Sequence, residues 1–170
     1  MSLNGKNLTN VNTDSEAALE SLIKERIVIM DGAMGTMLQQ EKLDENDFAG
    51  QKRTDIPASI KEIIEHAKAS GIELKGNNEL LSITRPDIIK AVHQKFLSVG
   101  ADIIETNTFG ATSIAQADYG LESLAKEMNL ASVHIAKDAC LKFTSKKNRK
   151  FVAGAIGPTP KTASISPDVS

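Results

Sequence analysis

The residues best suited to chemistry in this chain sit where apolar runs give out. "IVIMDGAMGTML" (27–38) drives four apolar residues into Asp31 and then past Gly32, Ala33 and Gly35. "ADIIETNTFG" (101–110) ends in the same way on Glu105, Asn107 and Thr108, and "KFVAGAIGPT" (150–159) on Gly157 and Thr159. A rigidly anchored carboxylate beside backbone N–H groups freed by glycine can hold a zwitterion. The acid takes the ammonium and the amides take the carboxylate. Spacing alone leaves Asp31 and Glu105 with two readings: a cap for the following turn, or a ligand group.

Such tips need strands to carry them. The run at 26–32 is continuous rather than alternating, which suits a strand covered on both faces, as in parallel sheets, and 101–110 and 150–159 read as the second and third strands. Between them the spacing predicts helices. "SEAALESLIKE" (15–25) has Ser15 as a cap and Ala18, Leu19, Leu22 and Ile23 as a stripe. Residues 36–43 and 59–71 also read as helical, the second stopping at Gly71. Residues 85–100 carry Pro86 in the first turn and Ile88, Ile89, Val92, Phe96 and Val99 at helical intervals. Residues 121–144 turn Leu121, Leu124, Met128, Ile135, Ala139 and Phe143 inward. The stretch from 44 to about 58 reads as polar loop, residues 1–14 as a disordered N-terminus, and 160–170 as a tail with no element of its own. Strands separated by helical crossovers predict an α/β fold with a parallel sheet. In such folds the C-terminal strand ends carry the chemistry.

Composition narrows the function classes. At 170 residues, 41% hydrophobic and 25% charged, the chain suits one ordinary soluble domain with a real core. A net charge of −2 gives no electrostatic case for nucleic acid or an anionic membrane surface. No apolar run has the length of a membrane span, and the polar start lacks a secretory signal. The single cysteine, Cys140, excludes an internal disulfide and fits a reducing, cytoplasmic setting. It also excludes a thiolate-rich zinc site made from this chain alone.

Two phosphate-binding patterns come close and fail. "DGAMGT" gives only G-x-x-G, and in "GAIGPTPKT" Pro160 stands where a P-loop needs glycine before its lysine. His66, His93 and His134 fall on predicted helices away from the strand tips and read as surface or packing residues. Cys140 reads as a small core residue. Met30, Met34 and Met37 suit either a thioether-friendly pocket or plain gap-filling.

Five segments, "DGAMGTMLQ", "KGNNELL", "GADIIETNTFGAT", "ADYGLE" and "VAGAIGPTPKTASISPDV", are long, ordered and correctly spaced over residues 20–170. Together they resemble the N-terminal homocysteine-binding module of the cobalamin-dependent methionine synthases. "GNN" and the "KTASISPDV" run favour these over the betaine-using relatives. The resemblance implies a (β/α)8 TIM barrel, of which 15–170 would supply the first three βα units, an incomplete barrel. It implies that Asp31 binds the ammonium of homocysteine and that the amides at Gly32 and Ala33 bind its carboxylate. Glu105, Asn107, Thr108, Gly157 and Thr159 would line the same mouth.

In that family a zinc ion on three later cysteines takes the homocysteine thiol, and methylcobalamin, recharged by methyltetrahydrofolate on further modules, supplies the methyl group. This chain has only Cys140, so by itself it is expected to bind neither zinc nor cobalamin and to be inactive. The segment 58–73 looks longer than the family's corresponding loop. An open three-stranded sheet is expected to self-associate. Another barrel of the homocysteine S-methyltransferase family is an alternative within the same resemblance, and two rival readings lie outside it. One is a folded, non-catalytic binding or assembly unit. The other is a barrel acting on a phosphorylated substrate, disfavoured because Lys161 is the nearest cation to the three tips.

Overall fold

The apolar runs form a parallel sheet, but with strands shorter than their composition predicts. In the computed structural model, which describes residues 9–145 and 148–159, β1 (Ile103–Glu105) pairs in parallel with β2 (Phe151–Ala153). Ile103 lies opposite Phe151, and Glu105 opposite Ala153. Segment 26–32, expected as a full strand, runs along the other edge of β1 and makes one parallel bridge, Met30 to Ile103. The Ile103 N–H donates to the Ile29 carbonyl at 3.1 Å, and the Asp31 N–H to the Ile103 carbonyl at 2.9 Å.

Three segments therefore run side by side in one direction, as expected. Three complete βα units do not form: the described residues hold two short strands and a bridged third segment, and no closed barrel. The cause is coverage. Segment 26–32 was read as buried on both faces, yet Ile27 is 86% exposed and Ile29 and Met30 are also exposed. A backbone paired along one edge only, with bare side chains, cannot sustain a regular ladder. β1 also ends early, because the chain curls at Thr106. The Thr108 N–H donates to the Thr106 carbonyl at 2.9 Å, and the Ala111 N–H to the Thr108 carbonyl at 3.1 Å.

The helices follow the apolar spacing closely. They are α1 (Thr9–Glu25), α2 (Met34–Gln40), α3 (Glu45–Phe48), α4 (Ala58–Ala69), α5 (Leu81–Thr84), α6 (Pro86–Ser98), α7 (Ser113–Gln116) and α8 (Ala125–Leu141). α1 begins six residues before the expected start, so the supposed disordered stretch 1–14 is helical from Thr9; residues 1–8 lie outside the described residues. α3 occupies what read as loop. A reciprocal capping box holds it: the Asp44 carboxylate accepts from the Asp47 N–H at 3.1 Å, and the Asp47 carboxylate from the Asp44 N–H at 3.0 Å. Val99, expected on the inward stripe, falls beyond the end of α6 and is exposed, whereas Ile88, Ile89 and Val92 are buried. The 160–170 tail lies outside the described residues.

Two cores result. The larger is built from α2 to α6 and the start of α8, around Leu74, Leu80, Leu81, Ile89, Leu124 and Met128. The smaller fills the space between the sheet and the helices. There Ile104 and Val152 face Leu97, Ala101, Ala136, Ala139 and Cys140. The alanines let α8 approach the sheet closely, and Cys140 serves as the small core residue expected of it.

Below the sheet, one carboxylate ties all three parallel segments. Asp102 is buried and takes a bidentate pair from Arg26, at 2.6 and 2.7 Å. It also accepts from the Ile29 N–H at 3.1 Å and from Lys150 Nζ at 3.4 Å. Arg26 opens the first segment, Asp102 precedes β1 and Lys150 precedes β2. The Arg26 guanidinium holds the Asp102 carboxyl far below the usual carboxylate range. Asp102→Asn leaves the buried Lys150 ammonium short of a counter-charge. It is expected to cost about 3–5 kcal/mol in urea unfolding, and a loss under about 1 kcal/mol would refute the clasp.

His93 on α6 is fully buried, and neither ring nitrogen has a hydrogen-bond partner. Burial pushes it from 6.5 down to about 4. The folded state thus resists a proton that the unfolded chain accepts, so its share of stability is intact above pH 6.5 and is lost as pH falls towards 4. His93→Leu is expected to raise Tm at pH 5 and to remove about 3 kcal/mol of acid sensitivity. Parallel stability–pH curves for the two proteins would contradict this.

Candidate functional site

Above the sheet, the tips of the three parallel segments converge on one cavity of about 320 Å³. Asp31 and Gly32 come from the first tip. Glu105, Thr106, Asn107 and Phe109 come from the second, and Ala155 from the third. Met34 and Gly35 on α2 close one side, and Asn78 and Glu79 close another. Asp31 and Glu105 therefore share a cavity, as the strand pattern implied.

Asp31 is fixed through its own backbone in the bridge and through its side chain, whose Oδ1 accepts from the Glu105 N–H at 2.9 Å. Burial raises its carboxyl from 3.8 to about 6. The Glu105 N–H opposes that rise, and the Glu105 charge adds to it. Three carboxylates, Asp31, Glu79 and Glu105, border the cavity, and among the described residues no lysine or arginine lines it. Such a cavity favours a cationic group. Ala33 adopts the left-handed conformation, φ +36°, and turns the chain from the first tip into α2. The N–H groups of Gly32 and Ala33 donate to no acceptor among the described residues. A side chain at Gly32 would meet nothing within 4 Å, so Gly32 borders open space, whereas Ala33 stands beside the cavity and is not among the residues that line it.

The other expected residues divide into liners and supports. Asn107 borders the cavity, but its amide is committed inward. Nδ2 donates to the Asn78 carbonyl at 2.7 Å and to Ser82 Oγ at 3.1 Å, and its N–H donates to Ser132 Oγ at 2.6 Å. Thr108 is buried beneath the mouth, where its hydroxyl donates to the Ala155 carbonyl at 2.8 Å and pairs with Thr106 Oγ1 at 2.7 Å. It ties the second tip to the third and does not line the cavity. Gly157 is also outside the lining. Its N–H donates to the Phe109 carbonyl at 3.0 Å, and a Cβ there would stand 2.4 Å from that oxygen, so only glycine lets the third tip press against Phe109. Thr159 is exposed and lies outside the cavity.

"KGNNELL" (75–81) carries part of the family resemblance, but the resemblance implies no place in the site for its residues. Asn77, buried, exchanges two hydrogen bonds with Gln116, at 2.7 and 3.2 Å, and Gln116 Nε2 also donates to the Gly110 carbonyl at 3.0 Å. Glu79 Oε1 accepts from the Gly110 N–H at 2.9 Å. This network clamps the 77–79 loop to the 107–110 loop. The available signal was the run of amide and acid side chains between two apolar stretches, where unpaired polar groups would be costly to bury.

Among the described residues, no three His, Cys, Asp or Glu side chains converge to hold a metal. Cys140 is buried in the smaller core, and burial pushes its thiol up to about 11, far from the thiolate that zinc takes. His66 and His134 are exposed on α4 and α8. The described residues therefore do not fit a zinc centre.

A profile of the homocysteine S-methyltransferase family matches residues 28–170, a span that includes all three tips and the cavity. The solved homocysteine methyltransferase MmuM from Escherichia coli is similar in fold. Its oxidised form aligns with a TM-score of 0.56 at 23% identity, covering 82% of this chain and 40% of that one. Its metallated form aligns with a TM-score of 0.56 at 22% identity, covering 82% and 41%. This chain thus spans about 40% of the length of those structures. The family match, over most of the residues that build the sheet and its mouth, places this chain in the homocysteine S-methyltransferase family.

Proposed function

We propose that this chain forms the amino-acid cradle of a methionine synthase of the cobalamin-dependent type, binding homocysteine at the mouth of the sheet. The observation that carries the reading is Asp31, a half-buried carboxylate raised to about 6 beside the unengaged amides of Gly32 and Ala33. Its ionisation is unfavourable until a cation arrives. The ammonium of an amino acid supplies that cation, and the amides receive the carboxylate. Met34 and Phe109 offer a soft, apolar surface to a sulfur-bearing side chain. "GNN" at 76–78 and "KTASISPDV" at 161–169 support the cobalamin-dependent type over betaine-using relatives.

Glu105 completes the acidic wall, while Asn107, Thr108 and Gly157 hold the three tips together from behind. In the family type, zinc and cobalamin supply thiolate activation and the methyl group. The described residues offer no zinc set, so no methyl-transfer step is routed through them. The chain by itself binds substrate without turnover, and catalysis needs the folate- and cobalamin-binding modules.

Linkage sets the pH test. Because folding raises the Asp31 pKa, the empty fold keeps that group's share of stability below about pH 4 and loses it as pH rises through about 6. An ammonium ligand restores it. Calorimetry with homocysteine is expected to show binding about tenfold weaker at pH 5 than at pH 7.5, with proton release near pH 6. Asp31→Asn should abolish most of the binding and flatten its pH dependence. Unchanged affinity in Asp31→Asn would remove the ammonium role.

The bare edge also predicts self-association, through Ile27, Ile29 and Met30 on the first segment. Size-exclusion chromatography with light scattering should show species above 18.2 kDa that grow with concentration. A monodisperse monomer across that range would contradict it.

A further inference from the structure

A second cavity, of about 430 Å³, lies between α2, α3 and the loop leading to Asn78. We propose that it binds a small organic carboxylate with an aromatic or branched aliphatic body. Leu38, Leu43 and Phe48 give it an apolar floor, and Lys42 and Lys75 stand on its rim. Its size falls in the range of small-molecule sites.

The charge pattern selects the ligand class. Nearby cations are neutralised: Lys52 by Asp44 and Asp47, Arg85 by Asp47 and Asp87, and Lys95 by Glu41. Lys42 and Lys75 pair with no carboxylate among the described residues. Two unpaired ammonium groups above buried leucine and phenylalanine match an anion carried on an apolar body. A neutral ligand would leave the rim unused, and an inorganic anion would leave the floor wet. Asn78 borders both cavities, yet the two are opposite in sign. Among the described residues, the first is lined by three carboxylates and no cation, and the second by two cations and no carboxylate.

Both lysines are held in place by the backbone. The Lys75 N–H donates to Glu45 Oε2 at 2.8 Å, and the Leu74 N–H to the same carboxylate at 3.1 and 3.2 Å, so α3 anchors the loop. Lys42 sits just past α2 at φ +51°, a left-handed conformation that glycine or asparagine would adopt more readily.

The test is an NMR titration of the 170-residue chain, carrying labelled leucine and isoleucine methyl groups, with 4-phenylbutyrate and with the neutral 4-phenylbutanol. The carboxylate is expected to shift the Leu38 and Leu43 methyls saturably, and the alcohol to bind roughly tenfold more weakly. The double variant Lys42→Asn, Lys75→Gln keeps a residue tolerant of the left-handed turn and should weaken phenylbutyrate binding roughly tenfold. Equal affinity for the two probes, or shifts confined to Ile27, Ile29 and Ile156 at the bare sheet edges, would overturn the proposal. The comparison of probes on the unsubstituted chain decides the matter even if the variant fails to fold.

Discussion

One buried ion cluster underlies the whole arrangement. Asp102 lies below the sheet and receives Arg26, Lys150 and the Ile29 amide, so a single carboxylate sets the relative height of three parallel segments. Register matters more here than in a long sheet, because the segments share few backbone bonds: three paired positions between β1 and β2, and one bridge to the first segment. A slip of one residue would turn the opposite side chains upward. Asp31, Glu105 and Ala153 would then no longer reach the same level, and the cavity above would not form.

The upper side is held by different chemistry. Besides the carboxylate bonds of Asp31 and Glu79 to the Glu105 and Gly110 N–H groups, the clamps there are amides and hydroxyls: Asn77 with Gln116, Asn107 with Asn78 and Ser82, and Thr106 with Thr108. These groups are buried and neutral, so they pin the loops without adding charge near the cavity. Asp31, Glu79 and Glu105 are left to define its electrostatics. The division leaves the acidic lining of the cavity open to a cationic group. Charge is concentrated at the cavity, and the amide and hydroxyl bonds add rigidity without drawing on the carboxylates.

The homocysteine S-methyltransferase family match spans these tips, and the likeness to MmuM is one of fold. The same frame explains the surface. Ile27 and Ile156 are 86% and 90% exposed, apolar residues on the segments at either side of β1. A parallel sheet is ordinarily covered on both faces, and residues selected for such cover remain apolar wherever the cover is missing.

The helices and the direction of the chain were legible in the sequence because they rest on local rules. Periodicity marked α6 and α8, Pro86 marked the start of α6, and apolar runs separated by helices required parallel strands. The meeting of Asp31 with Glu105 followed from that topology, since parallel strands bring their C-terminal ends together. The lengths of the strands were not legible. A long ladder needs side-chain cover beside its paired neighbour, and no residue within 26–32 reports whether that cover exists. Nor did the sequence reveal which polar residues would line the cavity and which would stand behind it. Asn107, Thr108 and Gly157 look alike as tip residues. Only the folded chain, by bringing Asn78, Ala155 and Phe109 against them from 29, 47 and 48 positions away, turned their hydrogen-bonding groups inward and left Asp31 facing the open space.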